Sequence, residues 1–253
     1  MKYLMKIKFI IIVFFNLFLG IKAFANDDIV ADLSNDKVEI STTFSGAKIL
    51  LFGAYNGKNG DDIIVKVKGP RGNIKVQKKS RKFGLWAVSD DVIFSNVPKY
   101  YYIASNRKIT EIASKNEIIL REFDFKYLNL GKINKNLDEK ELQSWKLALS
   151  RNMTREGFWK IEEKSILLNR NTLFRKTLSL TSNVTTGVFN VEILHYREGL
   201  LISQEISNIN VIKSGVGANI YDIAQEFSAL YGILAVIIAV FFGWFANFVF
   251  RRI

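Results

Sequence analysis

The chain contains few of the side chains that enzymes use as nucleophiles and general bases. It has no cysteine and a single histidine, His195. A cysteine nucleophile is therefore excluded, and a Ser-His-Asp triad would have to use His195 as its base. This histidine stands beside Tyr196 in a predicted strand, where it is expected to be a packed or surface residue of a sheet. We therefore expect a protein that is not an enzyme.

Two serine–lysine pairs have the spacing found in some acyl-transfer enzymes, Ser45-x-x-Lys48 and Ser105-x-x-Lys108. Neither pair begins a long predicted helix, and the companion motifs are missing, so we exclude this chemistry. Adjacent carboxylates such as Asp61-Asp62 point to opposite faces of a strand and cannot act together across one cleft. With one histidine, no cysteine and three methionines, no metal site and no cofactor are expected.

A lysine-rich segment, residues 66–82, contains eight basic side chains and no acidic one. A hairpin turning at residues 69–73 would place basic side chains together on strand faces. These are Lys66 and Lys68 on the first strand, and Lys75, Lys79 and Arg81 on the second. Such a strip has two interpretations. It binds anionic lipid headgroups or an acidic partner, or it is a solvated face that protects a sheet edge from pairing.

The overall charge does not indicate a nucleic-acid partner. The formal net charge of the chain is +12, but four lysines lie in the first 25 residues and two arginines in the last three. The remaining body carries 30 basic and 24 acidic residues, a net charge of +6 that is spread along the chain. This excess is modest, so we expect no binding to nucleic acid.

The two ends of the chain predict its topology. Lys2, Lys6 and Lys8, an apolar run from Phe9 to Leu19, and the small residues around Ala23-Phe24-Ala25 are typical of a removable signal peptide over residues 1–25. Residues 230–250 carry no charge, and this stretch is long enough for one membrane-spanning helix. The arginines that follow place the C-terminus in the cytoplasm. We expect a single-pass protein of the bacterial inner membrane with a periplasmic body.

Within the span, Tyr231, Ala235, Ala239, Gly243 and Asn247 recur every four residues. Small side chains on one helix face allow a second helix to approach closely, and an asparagine can form a hydrogen bond across the contact. This pattern predicts packing against an integral membrane protein. Small residues are also common in spans that pack against nothing.

The predicted body is mainly β, an immunoglobulin-like β-sandwich of one or two sub-domains with one amphipathic helix. Short β-branched and aromatic runs are separated by turn residues, which include Asp90-Asp91. The segment 184–191 resembles the entry to a late strand of immunoglobulin-like modules. Asp138 and Glu141 can cap the helix, which Gly157 ends. The predicted regions are β-rich 26–135, helix 136–157, β-rich 158–214, hinge and juxtamembrane helix 215–229, span 230–250 and tail 251–253.

Several short sequence segments resemble those of a family of alphaproteobacterial transmembrane proteins that have a signal peptide, a body and one C-terminal span. They are Val30-Ala31-Asp32-Leu33, Leu50-Leu51-Phe52-Gly53-Ala54, Val67-Lys68-Gly69-Pro70, Arg155-Glu156-Gly157-Phe158, Leu173-Phe174-Arg175, the strand with Gly187, Leu230-Tyr231-Gly232 and Gly243-Trp244-Phe245. The resemblance implies no catalytic residues, and it implies a link to transporters of the sulfite-exporter type.

The most favoured function is that of a non-enzymatic accessory or assembly protein that binds another membrane protein, such as a permease. The alternative is a periplasmic ligand-binding or sensor module that uses the basic strip. Anionic lipid headgroups and a second copy of the chain are further candidate partners.

Overall fold

The computed structural model describes residues 29–214, which form the body, and residues 224–251, which form a C-terminal helix. The predicted signal peptide, the predicted joint at 215–217 and the predicted helix cap at Asn219 lie outside the described residues.

The body is built mainly of β-strands, as the sequence predicts. The strands are β1 Val30–Leu33, β2 Lys37–Ile40, β3 Ala47–Ala54, β4 Asp62–Lys68, β5 Arg71–Lys82, β6 Leu85–Pro98, β7 Tyr101–Ser105, β8 Trp159–Glu162, β9 Leu167–Asn169, β10 Leu173–Leu180, β11 Gly187–Arg197 and β12 Leu200–Lys213. The helices are α1 Ile109–Ile112, α2 Lys115–Leu120, a 3₁₀ turn at Phe125–Tyr127, α3 Glu139–Arg155 and α4 Ser228–Phe250.

Two sheets pack face to face to form a sandwich. One has the order β1-β3-β10-β9, and the other has the order β2-β12-β11-β4-β7-β8. The first order is that of the ABED sheet of immunoglobulin domains. In the second, β12-β11-β4-β7 follows the order G-F-C-C′. The immunoglobulin-like sandwich expected from the sequence is therefore confirmed.

The sandwich is a single unit, which decides between one and two sub-domains. Strand β3 from the N-terminal β-rich region pairs with β10 from the C-terminal one, and β4 likewise pairs with β11. Neither region can form its sheets without the other.

The six-stranded sheet is covered on both faces. On β4, Ile63, Val65 and Val67 face the core inside the sandwich, whereas Ile64 faces a second core on the other side. This second core lies under α1, α2, α3 and the base of the β5–β6 hairpin. Burial on both faces explains why nearly every residue of β4 and β7 is buried, including the charged Lys66.

The longest hairpin is not the one that the sequence predicts. Strand β4 pairs with β11 and β7, and β5 pairs with β6, so no hairpin turns at residues 69–73. The predicted turn at Asp90-Asp91 is also wrong, because both residues lie inside β6. The register between β5 and β6 shifts between Lys78 and Lys79, opposite this polar pair, and β6 continues through it.

The amphipathic helix forms as predicted. The Asp138 side chain accepts a hydrogen bond from the backbone N–H of Glu141, which satisfies a free donor of the first turn of α3. Leu149 and Met153 are buried in the second core. Gly157 follows the helix with φ +78°, a conformation that ends helices readily when the residue is glycine.

Helix α4 is long and apolar enough to cross a membrane. Its mean hydropathy over Ser228–Asn247 is 2.3, and none of this stretch is buried against the rest of the described chain. Residues 224–226 are also helical, and the Phe227 carbonyl accepts a hydrogen bond from the Tyr231 N–H. The predicted boundary at residue 230 thus falls inside a helix that begins earlier.

Candidate functional site

The predicted packing face lies on α4, where its residues are exposed to the surroundings. Tyr231, Ala235, Ala239, Gly243 and Asn247 are all in the helix. A Cβ built on Gly243 would meet no atom within 4 Å. The face is therefore open to an approaching helix.

The concentration of small residues on this face is greater than the sequence analysis recognised. The helix contains seven serine, alanine and glycine residues between Ser228 and Ala246. At 3.6 residues per turn, all of them fall within an arc of about 120° centred near Gly232, Ala239 and Gly243. Large apolar side chains such as Leu234, Ile237 and Phe241 occupy the opposite side. Helix α4 thus has one smooth face and one bulky face.

The basic strip does not exist as one surface, which corrects the sequence-based expectation. Lys66 and Lys68 lie on β4 within the six-stranded sheet, where Lys66 is only 3% exposed. Lys75, Lys79 and Arg81 lie on β5, in a separate two-stranded sheet, and they are exposed. The two groups belong to different sheets because the segment 69–70 connects them without a hairpin.

Lys66 is held in a structural ion pair. Its Nζ lies 2.6 Å from Glu192 Oε2, donates a hydrogen bond to the Arg121 carbonyl and sits 5.7 Å from the centre of the Phe123 ring. Burial lowers the pKa of Lys66, and the bond to Glu192 partly offsets that effect. Lys68 is paired in the same way with Glu122, 2.6 Å away. Neither lysine is free to bind a ligand.

The β5–β6 hairpin carries a surface that the sequence analysis missed. Phe83 and Gly84 form a two-residue turn in which both have positive φ, 50° and 84°. Large apolar side chains are exposed at the turn and on β6 beside it. They are Phe83, Leu85, Trp86 and Val88.

Two exposed basic residues of β5, Lys79 and Arg81, lie beside these apolar side chains. Lys79 lies opposite Val88, and Arg81 lies opposite Trp86 in the register of the hairpin. We call Lys79, Arg81, Phe83, Leu85, Trp86 and Val88 the hairpin tip. A basic run at residues 78–82 and an apolar run at residues 85–88, separated by the pair Phe83-Gly84, were the signal that could have revealed it.

His195 is packed in the sheet, which is one of the two placements that the sequence predicts. It is fully buried, and its Nε2 lies 2.9 Å from Asp61 Oδ2. Arg197 also donates two hydrogen bonds of 2.8 Å to the same carboxylate. Ser203 Oγ lies 3.4 Å from His195 Nδ1, a distance longer than that between an activated serine and its base. The imidazole ring is also fully buried, so a substrate could not reach it.

The Asp61 carboxylate therefore serves as a structural link. Burial raises its pKa, but the hydrogen bonds from Arg197, from the Lys58 N–H and from His195 outweigh burial and hold the pKa below its usual range. These contacts fasten the loop before β4 to the end of β11.

Within residues 29–214 and 224–251, no group of three or more histidine, cysteine, aspartate and glutamate side chains could hold a metal ion. A sequence model of the family described as "Putative transmembrane protein (Alph_Pro_TM)" matches residues 28–252. No curated protein and no solved structure matches the chain.

Proposed function

Because the chain belongs to the Alph_Pro_TM family of transmembrane proteins, we propose that it is a non-enzymatic accessory protein of the bacterial inner membrane. It binds another integral membrane protein through α4 and presents its sandwich in the periplasm. The observation that carries this proposal is the confinement of every serine, alanine and glycine of α4 to about one third of the helix circumference.

A smooth helix face favours a protein partner over lipid. In the bilayer, apolar side chains gain little from meeting each other rather than lipid, so association depends on close backbone approach. Ala239 and Gly243 permit that approach, and Asn247 supplies a polar group that can form a hydrogen bond with the partner. A permease is the favoured partner class, and the sulfite-exporter type follows from the family resemblance alone.

The test is co-purification of the tagged full chain from mildly solubilised membranes. Ala239→Leu and Gly243→Leu fill the smooth face and are expected to reduce recovery of the partner about tenfold or more. Ile237→Phe enlarges the bulky face and is the matched control, with recovery expected to stay unchanged. Equal recovery with all three variants would remove the proposal.

The hairpin tip favours a second function, contact with anionic lipid headgroups. Tryptophan prefers the membrane interface, and exposed phenylalanine and leucine can insert their apolar side chains there. Each nearby lysine or arginine adds about 1 kcal/mol at a charged surface. The base of the hairpin also leaves the six-stranded sheet at the end where β12 finishes, because Lys68 of β4 and Val211 of β12 both lie beside the first residues of β11.

Site-directed labelling can test the lipid contact, since the chain has no cysteine of its own. An environment-sensitive dye on Phe83→Cys, in the reconstituted full chain, is expected to report an apolar surrounding when anionic lipid is present. The same dye on Leu200→Cys, at the other end of the sheet, is expected to report water. The signal at residue 83 should disappear with Lys79→Glu and Arg81→Glu. A dye signal at residue 83 that changes neither with lipid charge nor with these substitutions would exclude the contact.

A further inference from the structure

The outer face of the four-stranded sheet carries an exposed apolar patch. The outward side chains of β1, β3, β10 and β9 form it, and several of them line a depression of about 660 Å³. The large apolar residues exposed there are Val30, Leu50, Phe52, Leu167 and Leu173. In a sandwich, outward positions are ordinarily polar, so this patch requires an explanation.

Two opposite charges lie on either side of Phe52. In the sheet register Asp32 of β1 and Arg175 of β10 both pair with Phe52 of β3, so the three side chains form one row across three strands. Phe52, Arg175 and Asp32 are all exposed. Asp32 and Arg175 are two strand spacings apart, about 9.6 Å between their backbones.

This row is self-complementary. A twofold axis along β3, in the plane between two facing sheets, exchanges β1 of one copy with β10 of the other. It places Phe52 against Phe52 and Asp32 against Arg175 of the second copy. In the next row it places Val30 against Leu173, because both pair with Ala54. Apolar residues thus meet apolar ones, and each carboxylate meets a guanidinium.

The same axis suits a membrane-anchored chain. It keeps the direction of every strand that runs along it, so the ends of β12 in the two copies leave the dimer at the same side. Both copies of α4 can then enter one bilayer. We propose that this protein forms a twofold homodimer through the outer face of the four-stranded sheet, with Phe52 on the axis and two Asp32–Arg175 ion pairs around it.

The size of the patch indicates where the dimer forms. Three strands about 4.8 Å apart and about five residues long offer roughly 240 Å² per copy, below the roughly 800 Å² per partner of a stable soluble complex. Anchoring two copies in one membrane raises their effective concentration and orients them alike. The dimer therefore belongs to the membrane-bound chain, and it requires no partner of the proposed function.

Crosslinking of the full chain in proteoliposomes tests the proposal. The Phe52→Cys variant has a single thiol, and a short bis-maleimide is expected to yield a product of twice the chain mass. Leu147→Cys, on the outer side of α3, is the control; this position is more exposed than Phe52, 70% against 43%, and the variant is expected to stay monomeric. Equal yields from the two variants would overturn the proposal, as would a crosslinked product of any other mass from the Phe52→Cys variant.

Charge reversal separates specific pairing from random collision. In the Phe52→Cys background, Asp32→Arg or Arg175→Asp places like charges opposite each other and is expected to lower the crosslinked fraction about fivefold or more. The double variant Asp32→Arg/Arg175→Asp restores opposite charges and is expected to recover the yield. This recovery also excludes loss of fold as the cause. Single variants without effect, or a double variant without recovery, would refute the twofold arrangement.

Discussion

Polar side chains buried in the body are paired between strands that lie far apart in the sequence. Lys66 meets Glu192, and Tyr102 donates a 2.5 Å hydrogen bond to Glu162. These partners are brought together by the pairing of β4 with β11 and of β7 with β8. At the scale of the residue, the charged groups of the interior hold the sheets in register.

Removal of the Lys66 charge is expected to be costly. Lys66→Met leaves Glu192 partly buried without its cation, which should lower the free energy of unfolding by about 3 kcal/mol. Lys75→Met breaks an exposed pair with Asp91 and is the control, with an expected cost below about 0.5 kcal/mol. The double variant Lys66→Met/Glu192→Leu should recover much of the loss. Urea unfolding of the detergent-solubilised chain measures all three, and equal costs at positions 66 and 75 would contradict this account.

Glu162 should make the body sensitive to acid. Burial raises the pKa of Glu162, but bonds from Lys160, Lys176 and Tyr102 outweigh it and lower the pKa from 4.5 to about 2. A carboxyl group whose pKa is lower in the folded state stabilises the fold above its unfolded pKa. That stabilisation is lost as the pH falls from about 4.5 towards 2.

The measurement is the melting temperature of the chain as a function of pH. Glu162→Gln is expected to lower the melting temperature at about pH 7 and to reduce its decrease between pH 4.5 and about 2. Glu139→Gln on the exposed start of α3 is the control. A pH profile of Glu162→Gln that runs parallel to that of the natural chain would show that these bonds contribute nothing.

At the scale of the element, local pattern was sufficient for most strands and for α3. The cap of α3 was predicted from the spacing of Asp138 and Glu141, and the Asp138 side chain does accept a hydrogen bond from the Glu141 N–H. The β5–β6 hairpin was missed because Asp90-Asp91 resembles a turn. The sequence pattern therefore predicts two short strands where the structure has the single strand β6. The prediction of one basic strip was wrong for a related reason. Sequence spacing gives the face of each side chain but not the neighbour of each strand.

The cap of α3 can be tested directly. Asp138→Ala removes the acceptor for the Glu141 N–H and is expected to reduce stability by about 1 kcal/mol. Asp138→Asn keeps an acceptor at the same position and should cost much less. Thermal unfolding of the two variants distinguishes a cap from a simple surface charge, since a charge effect would make them equal.

At the scale of the whole molecule, each sheet of the sandwich combines strands from the N-terminal and the C-terminal β-rich regions. Sequence patterns could not predict this combination. The sequence left open whether residues 26–135 and 158–214 form one sandwich or two. The answer depends on pairings such as β3 with β10, which join residues more than a hundred positions apart. The α4 face was easier to predict, because a helix brings residues of fixed spacing together by itself.

The direction of the chain across the membrane is a whole-molecule prediction. The signal-like N-terminus and the closing arginines favour a periplasmic body. A reporter enzyme that requires export, fused after Ser214, is expected to be active, and a reporter fused after Ile253 is expected to be inactive. The opposite pair of results would place the body in the cytoplasm and overturn the proposed topology.

The parallel pairing of β2 with β12 has a mechanical consequence. The chain leaves the body at Lys213, at the end of β12, and β12 is bonded to β11 on one side and to β2 on the other. Tension transmitted from an anchor along β12 would load both ladders in shear. Their hydrogen bonds would then resist together and would not open one after another. The sandwich is consequently built to withstand pulling from the point at which it is tethered.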